Sequence, residues 1–128
     1  MQKDFDRWNT LKKQTNSKSE NKFYKPRDVW WCRLGVNIGS EQDGKEREFT
    51  RPILIVAPMS DKTCLVVPLT ISTETHRHRV SIGLIDNKQA KAIVSQMKVV
   101  DIKRLVLKIY RLDVNNFDKV KKSIRSFF

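Results

Sequence analysis

The stretch RPILIVAPMSDKTCLVVPLT, residues 51–70, decides how this chain folds. Two short apolar runs rich in β-branched residues, Ile53 to Val56 and Cys64 to Leu69, flank a turn-prone segment carrying Pro58, Ser60 and Asp61. Runs of this length with such boundaries are strands rather than helices. The pattern repeats outward, with Val29 to Leu34 upstream and Val80 to Leu84 and Ala92 to Val100 downstream. Several strands at close spacing, with no long helix between them, point away from a parallel α/β sheet. They predict a mainly β (α+β) fold, an antiparallel sheet curled into a small barrel.

Beyond the strands the apolar period changes to that of a helix. Phe117, Val120, Ile124 and Phe127 form one stripe, and Asp113 stands where an N-cap is needed. Leu112 precedes that cap and Phe117 follows it by four residues, the spacing of a hydrophobic staple. A C-terminal α-helix is therefore expected. At the other end Phe5, Trp8 and Leu11 predict a short amphipathic helix within residues 4–13, and the polar segment 15–22 is a linker. The expected organisation is an N-terminal helical extension and linker over residues 1–25 and a barrel domain over residues 26–128.

A chain of 128 residues suits one compact core. Its apolar runs are too short to cross a bilayer, and its first residues, MQKDFDRWNTLKKQ, lack the apolar centre of a secretion signal. A soluble, cytoplasmic protein is expected. Cys32 and Cys64 lie in strand-like runs without the close pairing of metal or redox motifs, which makes them reduced core thiols. Lys and Arg number 26 against 14 acids, and a net charge of +12 favours a polyanionic partner, most often nucleic acid. The basic residues are spread along the chain, so a solvated lysine-rich surface would have the same composition.

Three segments carry candidate chemistry. Residues 39–44, GSEQDG, form a glycine-bounded polar loop, Arg51 stands at the mouth of a buried strand, and Thr70 stands where the next strand ends. On a barrel such positions converge on one rim. A guanidinium donates a fork of hydrogen bonds to phosphate oxygens and stabilises charge that builds on them. A hydroxyl is a poor base near neutral pH, so Thr70 is better suited to orienting a hydroxyl or a phosphate. The plainer readings are a surface arginine ahead of a strand and a hydroxyl that satisfies backbone at a strand end. His76 and His78, two apart, would share a strand face and serve as base or phosphate ligand, or belong to a basic strand facing solvent. No further ligand cluster accompanies them, and no metal site is expected. Lys45, Arg47, Phe49, Arg77, Arg79 and Lys98 lie in or near the loops around Arg51 and Thr70, where a single strand would be held by charge and stacking. Trp30 and Trp31 alternate across their strand, so one of them faces the core.

The order of these segments resembles the PemK/MazF family of toxins from bacterial toxin-antitoxin systems. Trp30-Trp31, the loop at residues 39–42, Arg51-Pro52, the Pro68-to-Thr70 strand end, and Ile93 to Asp101 followed by Lys103, Arg104 and Leu105 match the family pattern in sequence order. The match covers roughly residues 26 to 128. The resemblance implies an SH3-like barrel, a homodimer, and cleavage of single-stranded mRNA at short motifs without metal or cofactor. The 2′-hydroxyl would attack the neighbouring phosphate, leaving 2′,3′-cyclic phosphate and 5′-hydroxyl ends. By carry-over Arg51, Thr70 and Glu41 take the catalytic positions. Gln42, Gln96 and the basic and aromatic residues named above, with His76 and His78, are expected to contact RNA. An antitoxin with an acidic, flexible segment is the implied protein partner. The chain departs from the pattern in its long segment from Asp43 to Thr50 and in its first 25 residues, which the smallest members lack. Two other readings remain: a catalytically inert RNA-binding barrel, and a gyrase-poisoning binder like CcdB, whose Trp-Gly-Ile tail is not matched by the Arg125-to-Phe128 end.

Overall fold

The computed structural model describes residues 23–34, 50–74 and 78–128. The helix expected within residues 4–13, its linker and the polar loop at residues 39–44 lie outside them. The described chain runs β1 (Asp28–Arg33), β2 (Thr50–Pro58), β3 (Thr63–Thr70), β4 (Arg79–Ile85), β5 (Lys88–Ile93), β6 (Lys98–Asp101), β7 (Leu105–Arg111) and α1 (Val114–Arg125). The strands form one antiparallel sheet in the order β4-β5-β3-β2-β1-β7, and β6 also pairs with β3. The sheet curls into a half-barrel with the helix at its C-terminal end.

The central strands are buried on both faces. Ile53 and Ile55 of β2 and Val66 of β3 pack with Trp30, Cys32 and Leu105, whereas Leu54 and Val67 pack on the opposite side with Val29, Leu112, Phe117 and Val120. This explains why the runs of β2 and β3 are continuously apolar rather than alternating. The helix covers one face, and the returning β6 and β7 cover the other through Val100 and Leu105. Trp30 is the core tryptophan, and Trp31 is half-buried. Cys32 and Cys64 are buried thiols outside any disulfide, and burial first, then the nearby Asp101 charge, pushes the pKa of Cys64 up to about 11.

The run from Ala92 to Val100 is not the single strand expected of it. β5 pairs with the end of β3 at Leu69 and Thr70, and β6 pairs with its beginning from Thr63 to Val66. Between them Val94–Gln96 makes one 3-10 turn. The Val94 N–H donates to the His78 carbonyl at 2.9 Å, and the Met97 N–H closes the turn on the Val94 carbonyl at 3.2 Å. Because Val94 is itself buried, the apolar pattern runs through the bend without showing it. Asp86 and Asn87, with φ of 58° and 65°, form a two-residue turn of the mirror-image type that joins β4 to β5. Gly83 sits at the irregularity of β4 with φ of 90°, beside the Asn116 side chain of α1.

The helix has the expected cap. Asp113 accepts from the Asn116 N–H at 3.0 Å, and Leu112 and Phe117 are both buried in the same cluster. It ends at Arg125, so Phe127 lies past its last turn, with its ring 4.8 Å from that of His78. No helix among the described residues is long and apolar enough to cross a membrane.

One charge is buried at the start of the sheet. Asp28 is 1% exposed. One carboxylate oxygen accepts from Arg111 at 3.0 Å and lies 3.4 Å from the Lys108 ammonium; the other accepts from the Lys25 N–H at 2.9 Å and the Trp30 indole at 3.4 Å. Both cations belong to β7, so the carboxylate ties β1 to an edge strand whose mixed sequence, LVLKIYR, gives little apolar signal of its own. Beside it Arg27, at φ of 83°, donates its N–H to the Ile55 carbonyl and its Nε to the Leu112 carbonyl, joining β1 to β2 and to the helix cap. Replacing Asp28→Ala strands the indole and backbone donors and is expected to lower the unfolding free energy in a urea titration by about 2 kcal/mol. Asp28→Asn, which keeps an acceptor oxygen, is expected to cost less.

Candidate active site at the strand ends

β2 begins and β3 ends at the same edge of the sheet. Their register pairs Ile53 with Pro68 and Leu54 with Val67; carried on by two residues it sets Arg51 across from Thr70. The Arg51 guanidinium reaches over β3 and donates to the Leu69 carbonyl at 3.4 Å. On the far side of β3, Thr70 pairs with Lys91 of β5. Arg51, Thr70 and Lys91 therefore stand side by side on three strands. Strand alternation places them on the same face as Ile53 and Val66.

The path of the chain after Thr70 is set by hydrogen bonds between side chains and backbone. Thr70 Oγ1 accepts from the Ser72 N–H at 3.1 Å, and Ser72 Oγ accepts from the Glu74 N–H at 3.1 Å. Lys91 donates to the carbonyls of Thr73 at 3.3 Å and Glu74 at 3.0 Å. Arg79, at the start of β4, donates to the same Glu74 carbonyl at 3.5 Å and lies 4.0 Å from its carboxylate. The turn thereby brings Arg79 toward Arg51.

Arg51 is half-buried, and its pKa is lowered by that burial first and by Arg79 second. Partial burial strengthens repulsion between cations, and an anion between them would offset it. Two guanidiniums also suit a phosphodiester, since each presents planar donors to paired oxygens. Thr70 has accepted one hydrogen bond through its oxygen, which leaves its O–H to donate outward.

Of the residues expected from sequence, the structure brings Arg51, Thr70 and Arg79 together. Lys98 opens β6 opposite Val66, and Gln96 lies in the 3-10 turn; both are exposed and neither joins that cluster. His78 precedes β4 rather than lying in a strand, and its ring rests against Phe127. Glu41, Gln42, Lys45, Arg47, Phe49, His76 and Arg77 fall outside the described residues. Lys91, Ser72 and Glu74 were not legible as site residues. A lysine set between Ala90 and Ala92 in a strand was the one available signal. Among the described residues no three His, Cys, Asp or Glu side chains gather as a metal-binding group.

Residues 25–128 match the family described as PemK-like, MazF-like toxin of type II toxin-antitoxin system. No curated protein sequence matches the chain. Among solved structures, MazF from Deinococcus radiodurans is similar with a TM-score of 0.66 at 13% identity, covering 84% of this chain and 97% of that one. An endoribonuclease in complex with its cognate antitoxin, from Mycobacterial species, is similar with a TM-score of 0.63 at 16% identity, covering 81% and 93%. The Mycobacterium tuberculosis toxin MazF-mt6 is similar with a TM-score of 0.60 at 14% identity, covering 78% and 94%. At these identities the structures establish a shared fold, and the family assignment rests on the match over residues 25–128. The chain belongs to the PemK-like, MazF-like toxins of type II toxin-antitoxin systems, a family known as endoribonucleases.

Proposed function

We propose that this chain cuts single-stranded RNA by attack of a ribose 2′-hydroxyl on the adjacent phosphodiester. The bond from the 2′-oxygen to phosphorus forms as the bond to the 5′-oxygen breaks, giving a 2′,3′-cyclic phosphate and a 5′-hydroxyl. The observation that carries this reading is the half-buried Arg51 guanidinium, beside Arg79 and across from the Thr70 hydroxyl. Arg51 and Arg79 bind the non-bridging phosphate oxygens and stabilise the charge that grows on them. Thr70 donates to the same phosphate and fixes its orientation. Arg51 stays protonated through the reaction, since a guanidinium is not deprotonated in proteins. The polar loop with Glu41 and Gln42, and the basic and aromatic residues around it, belong to the RNA groove of this proposal. So do His76, Arg77, His78, Gln96 and Lys98.

The same reading supplies the partners. The protein acts in the cytoplasm as a homodimer, and a cognate antitoxin silences it by laying an acidic, flexible segment over the cationic rim. A complex with a cognate antitoxin is what the mycobacterial endoribonuclease structure contains. The charge of +12 fits both an RNA and an acidic peptide.

Purified protein incubated with a long single-stranded RNA in EDTA is expected to give discrete cuts with cyclic phosphate ends. Arg51→Ala is expected to slow them by about 10² to 10³. Equal rates for the two proteins would remove Arg51 from the chemistry, and RNA bound without cleavage by the wild type would favour the inert binding barrel. An acidic antitoxin peptide is expected to inhibit strongly at low salt and weakly at high salt. Cleavage unaffected by the peptide at low salt would count against the rim as its docking site.

A further inference from the structure

Lys91 is a cation of this rim to which the proposed reaction gives no part. It interrupts β5 between two buried alanines, and its ladder partners are Thr70 on β3 and Ser81 on β4. Its side chain leaves the ladder to reach the two carbonyls at 3.3 and 3.0 Å in the segment that follows Thr70. That segment has no ladder partner of its own among the described residues. What shapes it is a chain of local bonds: Ser72 N–H to Thr70 Oγ1, Glu74 N–H to Ser72 Oγ, and the Lys91 and Arg79 donors on the Glu74 carbonyl.

The direction of the Thr70 hydroxyl depends on this arrangement. A threonine hydroxyl at a strand end rotates unless a neighbour holds its oxygen, and here the Ser72 N–H does so. Residues 72–74, held by the Ser72 hydroxyl and by Lys91, carry the Ser72 N–H in that direction. Two single-serine and single-threonine turns are individually weak. A charged donor bridging two successive carbonyls is the stronger restraint.

We propose that Lys91 is a positioning residue for the site: its ammonium clamps the Thr73 and Glu74 carbonyls, and the turn so held fixes the direction of the Thr70 hydroxyl. The same clamp keeps the Glu74 carbonyl where Arg79 reaches it, so one lysine sets the spacing of Arg79 and Thr70 around the reacting phosphate. The effect of Lys91 on cleavage rests on the ribonuclease reading above; its effect on the turn does not.

Two measurements on full-length protein separate these. Amide hydrogen exchange is read at Ser72 and Glu74 for the wild type, Lys91→Met and Lys91→Arg, and steady-state cleavage of a defined RNA is followed over a range of salt. Lys91→Met is expected to speed exchange at both amides and leave the thermal midpoint unchanged. It is also expected to lower kcat by about 10- to 100-fold at unchanged KM, the penalty of a misplaced reacting group. Lys91→Arg, which still bridges two carbonyls, is expected to restore most of both. A raised KM with a salt slope smaller by about 1, at unchanged kcat and unchanged exchange, would make Lys91 a direct phosphate ligand and overturn the proposal. Unchanged exchange with unchanged kinetics would overturn it equally. If the wild type cuts no RNA, the ribonuclease reading has failed, and the exchange rates alone decide whether the clamp exists.

Discussion

Between β2 and β3 the sheet has no solvent face: Ile53, Ile55 and Val66 are buried on one side and Leu54 and Val67 on the other. Each side must be covered, and the remaining elements are arranged by that need. The C-terminal helix brings Phe117 and Val120 to one face, while β6 and β7 curl back over the other with Val100 and Leu105. A shift of one residue would exchange the side chains packed against the helix with those packed against Trp30, Cys32 and Leu105, so the different packing of the two faces holds the register. That register sets Arg51 across from Thr70, so the packing of the core and the geometry of the rim share one cause.

The rim is built in the opposite manner to the core. There Arg51 and Arg79 are held close enough to repel, and Lys91 joins them through the Glu74 carbonyl. A carboxylate placed among them would relieve the strain, as Asp28 does for Lys108 and Arg111 at the other end of β1. The contrast is informative. At Asp28 the opposite charge is buried, and the cluster holds strands together; at the rim Glu74 is exposed and lies 4.0 Å from Arg79. In the proposed reaction such donors, arranged in advance, would stabilise the transition state without reorganising as charge develops.

Much of this was legible in the sequence. The continuous apolar runs of β2 and β3, the Asp113 cap with its Leu112–Phe117 staple, and the order of the Arg51 and Thr70 segments all rest on local patterns that the fold preserves. The turn at Val94–Gln96 was hidden because Val94 is buried inside it. β7 was hidden because its exposed face carries Lys108 and Arg111, and the residue that accounts for them, Asp28, is some eighty positions away. Lys91 was hidden for a related reason: its partners are backbone carbonyls, 17 and 18 residues earlier, and carbonyls leave no trace in composition.

The central claim is that the rim presents a phosphodiester to its own neighbouring 2′-hydroxyl. It is tested most directly by comparing an all-ribose oligonucleotide with one that carries a single 2′-deoxy residue on the 5′ side of a mapped cut. Both are expected to bind alike, and the substituted strand is expected not to be cut at that position. Cleavage of both at the same rate would show that the nucleophile is not the 2′-hydroxyl, and the mechanism assigned to Arg51, Arg79 and Thr70 would be wrong.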